Sequence, residues 1–567
     1  MASLSGQFSE QSSEYSDQPG DILSRPSSAQ SSAQSSQHSV PSSYGDSLYH
    51  RLHSITIKCD DTDKNPNFYQ RTFLPTDAID EVISTDIIKA QLSRFGILNS
   101  LFNPCYKDPC SQIVKRAKKV FVILGLCELE KLIWEVVEEG LTDEQLPLAR
   151  FYGEGPPNIL ISRHGKKFQS FSNRGDNIGV ENFLRKQWQV LAPVFTTLGE
   201  DLRLDALNPL PFYGIKKISF NDRSTVYKGT LHGAHFMPKP KDNVKVVAIK
   251  DYTEQDDFDK EKKNLGLIQD LNNPHLIRHI ATIQQGNSFY VIFPWANGGN
   301  LSDFWKRAPE ALQTRSPKLF MWCLEQMLGI VDALFALHNI NCRHGDLKPE
   351  NILHFKDSNE SRDRYSKYGI LVIADVGVSR VHHVRTELRD DPTNTKATTP
   401  CYEAPEVEIH AERPRGRRYD MWSVGCMFME FAIWLLYGNK AIDDFKKLRR
   451  ANDDRFPQKA PYYKRTRPDT AIIHPVAFDG LKALENDPRC AKGTGLAALV
   501  SLIASDLIVV DPEKRAKAGE LRDKLRKIVQ KAKGDSSYLM RSIEPPPSIP
   551  DPFHPGLNPG RRGDSYG

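Results

Sequence analysis

Near residue 212 the chain changes texture, and that change restricts its possible folds more than anything else in it. Short β-rich runs occupy Ile215–Phe220, Thr225–Leu231, Val244–Asp251 and Phe289–Phe293, and from about residue 300 the apolar periodicity becomes helical. A strand-rich segment followed by a helix-rich one predicts an α+β protein of two lobes, one small and β-rich, one larger and helical.

The flanks divide the rest. Residues 1–48 are dominated by Ser and Gln, too poor in large apolar side chains to offset the entropy of ordering, and are expected to be a disordered tail. Residues 49–204 read as a mostly helical N-terminal domain. Ile79, Val82 and Ile83 begin a stripe that Ile87, Ile88 and Leu92 continue, a second helical segment runs from Val120 to Val137, and a third from Val180 to Leu191. These stripes read as helical core rather than as a binding groove. Residues 205–533 form the two-lobed domain, and 534–567, rich in Pro and then Gly, a disordered tail. With 567 residues, the chain has room for two or three domains of roughly 150 residues.

Charge excludes some roles. Lys and Arg number 76 against 71 Asp and Glu, a net of +5, which leaves no polybasic arm for nucleic acid and no acidic tail. The nine cysteines are scattered and none has zinc-site spacing, as expected for buried thiols in a reducing compartment. The first residues lack a signal-peptide pattern, and the most apolar run, Met421–Tyr437, carries Glu430 and reads as a buried core helix. The expectation is a cytoplasmic or nuclear protein without membrane insertion.

The chemistry concentrates in His344-Gly345-Asp346-Leu347-Lys348-Pro349-Glu350-Asn351, a polar octet between apolar stretches. Either it is a surface loop or it performs phosphoryl transfer, in which Asp orients the attacking hydroxyl, Lys neutralises phosphoryl charge and Asn offers an oxygen to magnesium. Other pieces favour the second. Val247-Ala248-Ile249-Lys250 sets an ammonium at a strand end, and Ile373-Ala374-Asp375-Val376-Gly377 offers another carboxylate for metal. Thr398 to Glu406, Asp420 to Gly425 and Asp511 to Arg515 follow.

In this order the segments resemble the signature set of the eukaryotic protein kinases, from about residue 212 to 530. The resemblance implies ATP and Mg2+ as cofactors and protein substrates as partners. Lys250 is similar to the family's phosphate-binding Lys, with Glu261 as its helix partner. The spacing from Glu261 to Pro274 is longer than usual by about one turn, and the alternative is an exposed Glu among lysines. Asp346 resembles the catalytic base and Lys348 the phosphate-neutralising Lys, while Asn351 and Asp375 resemble the metal ligands. Lys348 together with Thr399 resembles the serine/threonine class. Ile292 to Leu301 resembles the hinge, with Phe293 at the back of the pocket and the backbones of Trp295 and Ala296 on adenine; Val226, Ala248, Asn300 and Leu353 complete the nucleotide site. Glu406 and Arg515 resemble the family's buried ion pair. A narrower resemblance, to filamentous-fungal kinases with a helical N-terminal region, rests on Arg185 to Phe195, His474-Pro475 and Asp487 to Cys490.

Three departures bear on activity. Ser219, Asn221 and Ser224 replace the nucleotide-loop glycines, which predicts weaker or shifted ATP binding. Gly345 replaces the Arg that reads an activation-loop phosphate, so the chain is expected to act without phosphorylation at Thr393, Thr395 or Thr398. Val376 replaces a Phe. Three readings stand: a serine/threonine kinase, a pseudokinase serving as scaffold, and a small-molecule phosphotransferase. Residues 49–204 are left to dock a partner or to regulate the catalytic domain.

Overall fold

The computed structural model describes residues 47–60, 68, 71–96, 109–174, 177–196, 199–240, 244–307, 317–356, 368–375, 380–381, 400–452, 460–540 and 552–554. Of the tail expected at 1–48, residues 1–46 lie outside them, while Ser47 caps the first helix and Leu48 is buried in it; of the tail expected at 534–567, residues 541–551 and 555–567 lie outside them, as do the positions Val376, Arg385, Thr393, Thr395, Thr398 and Thr399.

The N-terminal region is mostly helical, with α1 (Leu48–Ser54), α2 (Thr76–Val82), α3 (Thr85–Arg94), α4 (Pro109–Arg116), α5 (Lys118–Leu126), α6 (Ile133–Glu138), α7 (Ser170–Arg174) and α8 (Asn177–Lys186). It also holds strands absent from the sequence reading: the pair β1 (Ile57–Lys58) and β2 (Thr72–Phe73), and a small antiparallel sheet of β3 (Leu148–Arg150), β4 (Leu160–Ser162) and β5 (Lys167–Phe168). Two expected continuous helices are broken by local caps. Ser84 accepts the Ile87 amide at 3.3 Å and starts α3 afresh after α2. Glu128, at φ 57°, ends α5 in a left-handed turn in which the Leu129 amide reaches back to Leu124 O at 2.8 Å, so Val120–Val137 folds as two helices.

The small lobe is a six-stranded sheet ordered β6-β10-β11-β9-β8-β7, comprising β6 (Glu200–Leu204), β7 (Phe212–Phe220), β8 (Ser224–His232), β9 (Val244–Tyr252), β10 (Ala281–Gln285) and β11 (Ser288–Pro294). Helix α9 (Gln255–Gln269) follows β9. Strand β6 was not legible, and it precedes the boundary expected at residue 205. It pairs in parallel with β10, and Asp201 on it accepts from Thr282 Oγ1 at 2.9 Å and from Lys262 Nζ of α9 at 2.7 Å.

Strand alternation gives the sheet two faces. Ala248, Lys250 and Tyr252 turn to one; Val247 and Ile249 turn to the other, where they join Tyr227, Leu231, Ile283, Tyr290 and Ile292 in an apolar layer. The N-terminal region covers that layer. Phe68 packs on the rings of Tyr227 and Tyr290 at 6.0 and 5.5 Å, and Phe195 stacks on Phe212 at 6.1 Å. Polar ties surround this contact: Asp60 accepts the Gly214 and Ile215 amides, Arg71 donates to the carbonyls of Ala206 and Asn208, and Lys239 pairs with Asp77.

The large lobe is built on α10 (Leu301–Arg307), α11 (Pro317–Asn339), α12 (Glu406–Ile409), α13 (Arg418–Tyr437), α14 (Asn439–Ala451), α15 (Pro475–Glu485), α16 (Gly495–Leu502) and α17 (Ala518–Gly534). Three short antiparallel pairings fit among them: β12 (Cys342–Arg343) with β15 (Arg380–Val381), β13 (Ile352–Phe355) with β14 (Ile370–Ile373), and the hairpin β16 (Tyr463–Arg467) to β17 (Thr470–Ile473). The run Met421–Leu436 is buried throughout, as expected of a core helix. Among the described residues one helix, α11, is long and apolar enough to cross a membrane, and 13 of its 23 residues are buried in the core. The expectation of a disordered C-terminal tail needs correction at two points: Leu539 is buried and its carbonyl accepts the Leu496 amide, and Phe553 is buried between Tyr437 and Phe445.

The covered sheet face yields a prediction. A fragment beginning at residue 205 loses Phe68, Phe195 and β6 and bares the apolar layer. It is expected to aggregate, or to melt well below the full chain, and Phe195→Ala in the full chain is expected to cost about 3–5 kcal/mol by chemical denaturation.

Candidate active site

Between the lobes lies a cleft of about 790 Å³. Its lining includes Val226, Ala248, Lys250, Glu261, Phe293, Trp295, Ala296, Asn300, Asp346, Lys348, Asn351, Leu353 and Asp375. Every site residue expected from the sequence therefore meets in one space, although they come from β8, β9, α9, β11 and the segment after it, the octet, β13 and the end of β14.

At its centre Lys250 Nζ lies 3.6 Å from Glu261 and 3.1 Å from Asp375. Glu261 is only 2% exposed, which rules out the alternative of a solvent-facing Glu; the extra turn of α9 follows it toward Gln269. Burial pushes the Glu261 carboxyl upward; Lys250 opposes this and Asp375 adds to it, leaving a net upward displacement. The Lys250 ammonium holds the Asp375 carboxyl below the usual carboxylate range against the effect of burial. Lys250 itself is held protonated, because its two carboxylates outweigh burial.

The octet is shaped by a second carboxylate beneath it. Asp420, in the first turn of α13, is fully buried, accepts the His344 and Gly345 amides at 2.9 and 2.8 Å, and pairs with His338 Nε2 at 2.8 Å. Burial raises its pKa, but the His338 bond and the neighbouring cationic side chains outweigh it, so the carboxyl titrates below its ordinary range. His344 ties the octet to β14: Nε2 lies 2.9 Å from Ala374 O and Nδ1 takes the Asp346 amide at 3.3 Å, an arrangement that fits the neutral ring with its proton on Nε2. Gly345 has φ 85°, so the Arg for Gly exchange has a backbone consequence as well as an electrostatic one: a side chain there would be strained by about 1 kcal/mol.

Above this floor, Asp346 Oδ2 takes Lys348 Nζ at 2.8 Å and Asn351 Nδ2 at 3.2 Å, and Asn351 Nδ2 also donates to Asp346 O at 2.8 Å. With its nitrogen committed to Asp346, Asn351 has its Oδ1 left for a cation, and Asp375 keeps 42% of its side chain exposed. Two hard oxygen donors in a cleft of this size fit magnesium and a nucleotide.

Two features differ from expectation. The Trp295 amide donates to Val246 O at 3.3 Å and continues the sheet ladder, so it does not face the cleft as an adenine donor; the Ala296 amide makes no protein hydrogen bond among the described residues. At the nucleotide loop, Asn221 Oδ1 accepts the Arg223 and Ser224 amides, both at 2.9 Å. These are tip N–H groups of the kind a glycine loop turns to phosphate, and a side chain already holds them.

The protein kinase domain family matches residues 228–524. The chain belongs to the protein kinase family. Among individual relatives, Cyclin-dependent kinase-like 2 of Rattus norvegicus is 24% identical over 288 residues, 50% of this chain and 51% of that protein. Cyclin-dependent kinase-like 4 of Mus musculus is 27% identical over 203 residues, 35% of this chain and 52% of that protein. Probable serine/threonine-protein kinase fhkD of Dictyostelium discoideum is 25% identical over 219 residues, 37% of this chain and 26% of that protein. The chain thus spans about half the length of the cyclin-dependent-kinase-like relatives it matches.

In this kinase domain the Glu406–Arg515 pair is buried and bidentate, at 2.9 and 3.1 Å, with Arg515 also donating to the carbonyls of Val509, Val510 and Arg418. Sequence reasoning found this pair but missed the Asn221 cap and the role of Asp420. An Asx turn at an Asn two residues before Arg was the available signal for the first. Nothing local marks the second, because its partners lie about 75 residues away.

Two predictions follow from these buried groups. Glu406→Gln is expected to cost about 3–5 kcal/mol in urea unfolding, since the Arg515 charge stays buried without its partner. Asp420→Asn is expected to cost about 1.5–3 kcal/mol at pH 7. Because the folded pKa of Asp420 lies below its unfolded value near 4, this contribution is complete above about pH 5 and fades as pH falls through the folded value. The gap between wild type and variant in denaturation curves should therefore narrow below about pH 4.

Proposed function

We propose that the chain is a serine/threonine protein kinase that transfers the γ-phosphate of Mg-ATP to protein Ser or Thr hydroxyls without needing activation-loop phosphorylation. The convergence of Lys250, Glu261, Asp346, Lys348, Asn351 and Asp375 on one cleft carries this reading. The cleft walls, Val226, Ala248, Phe293 and Leu353, take the adenine with the Ala296 backbone, and Asn300 lies at the ribose side. Lys250, kept charged and aimed by Glu261, grips the phosphates.

Asp346 orients the substrate hydroxyl and accepts its proton as the oxygen bonds to the γ-phosphorus and the bond to the bridging oxygen of ADP breaks. Lys348, 2.8 Å from Asp346, neutralises charge on the phosphoryl group in flight. Asn351 and Asp375 would hold magnesium, which when bound offsets the charge of the phosphates. Independence from loop phosphorylation is supported by Gly345, which supplies no cation to read a phosphate.

Residues 49–204 belong to the same proposal as a support. Among the described residues none of them lines the cleft; they cover the far face of its sheet and reach α9 through Asp201. The second reading, a scaffold, is favoured by the Asn221 cap, which withdraws two loop amides from phosphate.

The two readings separate in one assay of phosphate transfer to a generic basic protein. Wild type is expected to transfer, and Asp346→Asn to fall by about a hundredfold or more while Mg-ATP still raises its melting temperature. Equal, negligible transfer by both favours the scaffold, and no thermal shift at millimolar Mg-ATP removes nucleotide binding as well.

A further inference from the structure

Among the described residues three cations line the cleft: Arg223, Lys250 and Lys348. Two of them are committed. Lys250 lies between Glu261 and Asp375, and Lys348 donates to Asp346 at 2.8 Å. Arg223 stands apart. Its Nε is 3.9 Å from Asp257 Oδ2, beyond hydrogen-bond distance, and 54% of its side chain is exposed. An ion pair this long and this wet contributes little, so it can be exchanged at small cost. The exchange does not strand Asp257, which is itself 25% exposed and has Lys260 Nζ at 3.5 Å.

The backbone fixes where Arg223 stands. Its amide donates to Asn221 Oδ1 at 2.9 Å, its carbonyl accepts the Thr253 amide at 3.0 Å, and the Asn221 amide closes the turn on Ser224 O at 2.9 Å. A glycine loop can turn its amides to a phosphate; here a side chain holds two of them, and the tip offers the cleft a guanidinium instead. Strand register gives the direction. Lys228 pairs with Ala248 at the adenine wall, Val226 with Lys250, and Ser224 with Tyr252, so Arg223 lies one step beyond Lys250 on the side away from adenine. A nucleotide with its base at Ala248 and its inner phosphates at Lys250 runs its outer phosphate toward that tip. The planar N–H fork of Arg matches phosphate oxygens in pairs.

We propose that Arg223 is a nucleotide-binding residue: its guanidinium exchanges Asp257 for the terminal phosphate of a triphosphate, and so restores the anion contact that Asn221 removes with the loop amides. The site then tells a triphosphate from a diphosphate by a side chain on a capped, pinned turn. The inference rests on the proposed kinase reading for the nucleotide, but not on turnover.

The test measures affinity for Mg-AMP-PNP, a non-hydrolysable triphosphate, for Mg-ADP and for adenosine by calorimetry on the full chain. Wild type is compared with Arg223→Gln, Arg223→Lys and Asp257→Asn. Arg223→Gln is expected to weaken Mg-AMP-PNP roughly tenfold, Mg-ADP by less than about threefold and adenosine by less than about twofold. Arg223→Lys, which keeps the charge without the fork, is expected to recover part of the loss. Asp257→Asn removes a competitor for Arg223 and is expected to leave Mg-AMP-PNP binding unchanged or tighter. Equal losses for all three ligands in Arg223→Gln mean a loop that has lost its shape, and overturn the proposal. Mg-AMP-PNP affinity within about twofold of wild type overturns it as well. Tighter binding by Arg223→Gln, or a loss in Asp257→Asn as large as in Arg223→Gln, makes the pair a latch or a strut and also overturns it. A wild-type chain that binds Mg-AMP-PNP but transfers no phosphate from Mg-ATP defeats the kinase reading and leaves this test intact. A wild-type chain that does not bind Mg-AMP-PNP overturns both.

Discussion

A single carboxylate with no access to water organises the lower half of the cleft. Asp420 sits in the first turn of the most deeply buried helix, and taking its charge out of solvent is tolerable only because the His344 and Gly345 amides and the His338 ring converge on it. Those two amides belong to the segment that presents Asp346. The orientation of the proposed base is thus set from below, by a group that touches no substrate, and His344 passes the same constraint to the end of β14 and Asp375. Much of the large lobe exists, in this sense, to keep one loop still.

The upper half of the cleft is held from the opposite direction. The sheet that carries Lys250 has apolar side chains on both faces: one closes over the cleft, and the other is covered by Phe68, Phe195 and the strands and helices around them. A sheet buried on both sides cannot treat its neighbour as optional. The strand β6 extends this arrangement to the sheet edge, where Asp201 reaches α9 one residue from Glu261. The N-terminal region and the small lobe are therefore one packed body on two sides of a sheet.

How much of this was legible depends on range. The two lobes and the charged residues at the centre of the candidate site could be read, because strand alternation, helical periodicity and short polar clusters are local patterns. Glu261 was found despite its unusual spacing to Pro274, since the extra turn lies after it in α9 and does not disturb its register with Lys250. What escaped was long-range or depended on backbone detail. Glu200–Leu204 carries three charges in five residues and reads as a loop; only pairing with β10, about 80 residues on, makes it a strand. Trp295 lines the cleft as expected, but its amide belongs to the sheet ladder, a matter of register that composition does not record. Phe553 looked like part of a featureless tail, yet Gly480 leaves just enough room for its ring, since a Cβ there would come within 3.0 Å of it.

The covered sheet face also limits how this chain can change over time. Tyr227, Tyr290 and Val247 are suited to a neighbour and unsuited to water, while Phe68 and Phe195 are suited only to that sheet. A polar substitution on either side would be harmful until matched on the other, so the two regions are bound to co-evolve. Grafting the lobe alone onto another scaffold would first require its outer surface to be rewritten in polar residues.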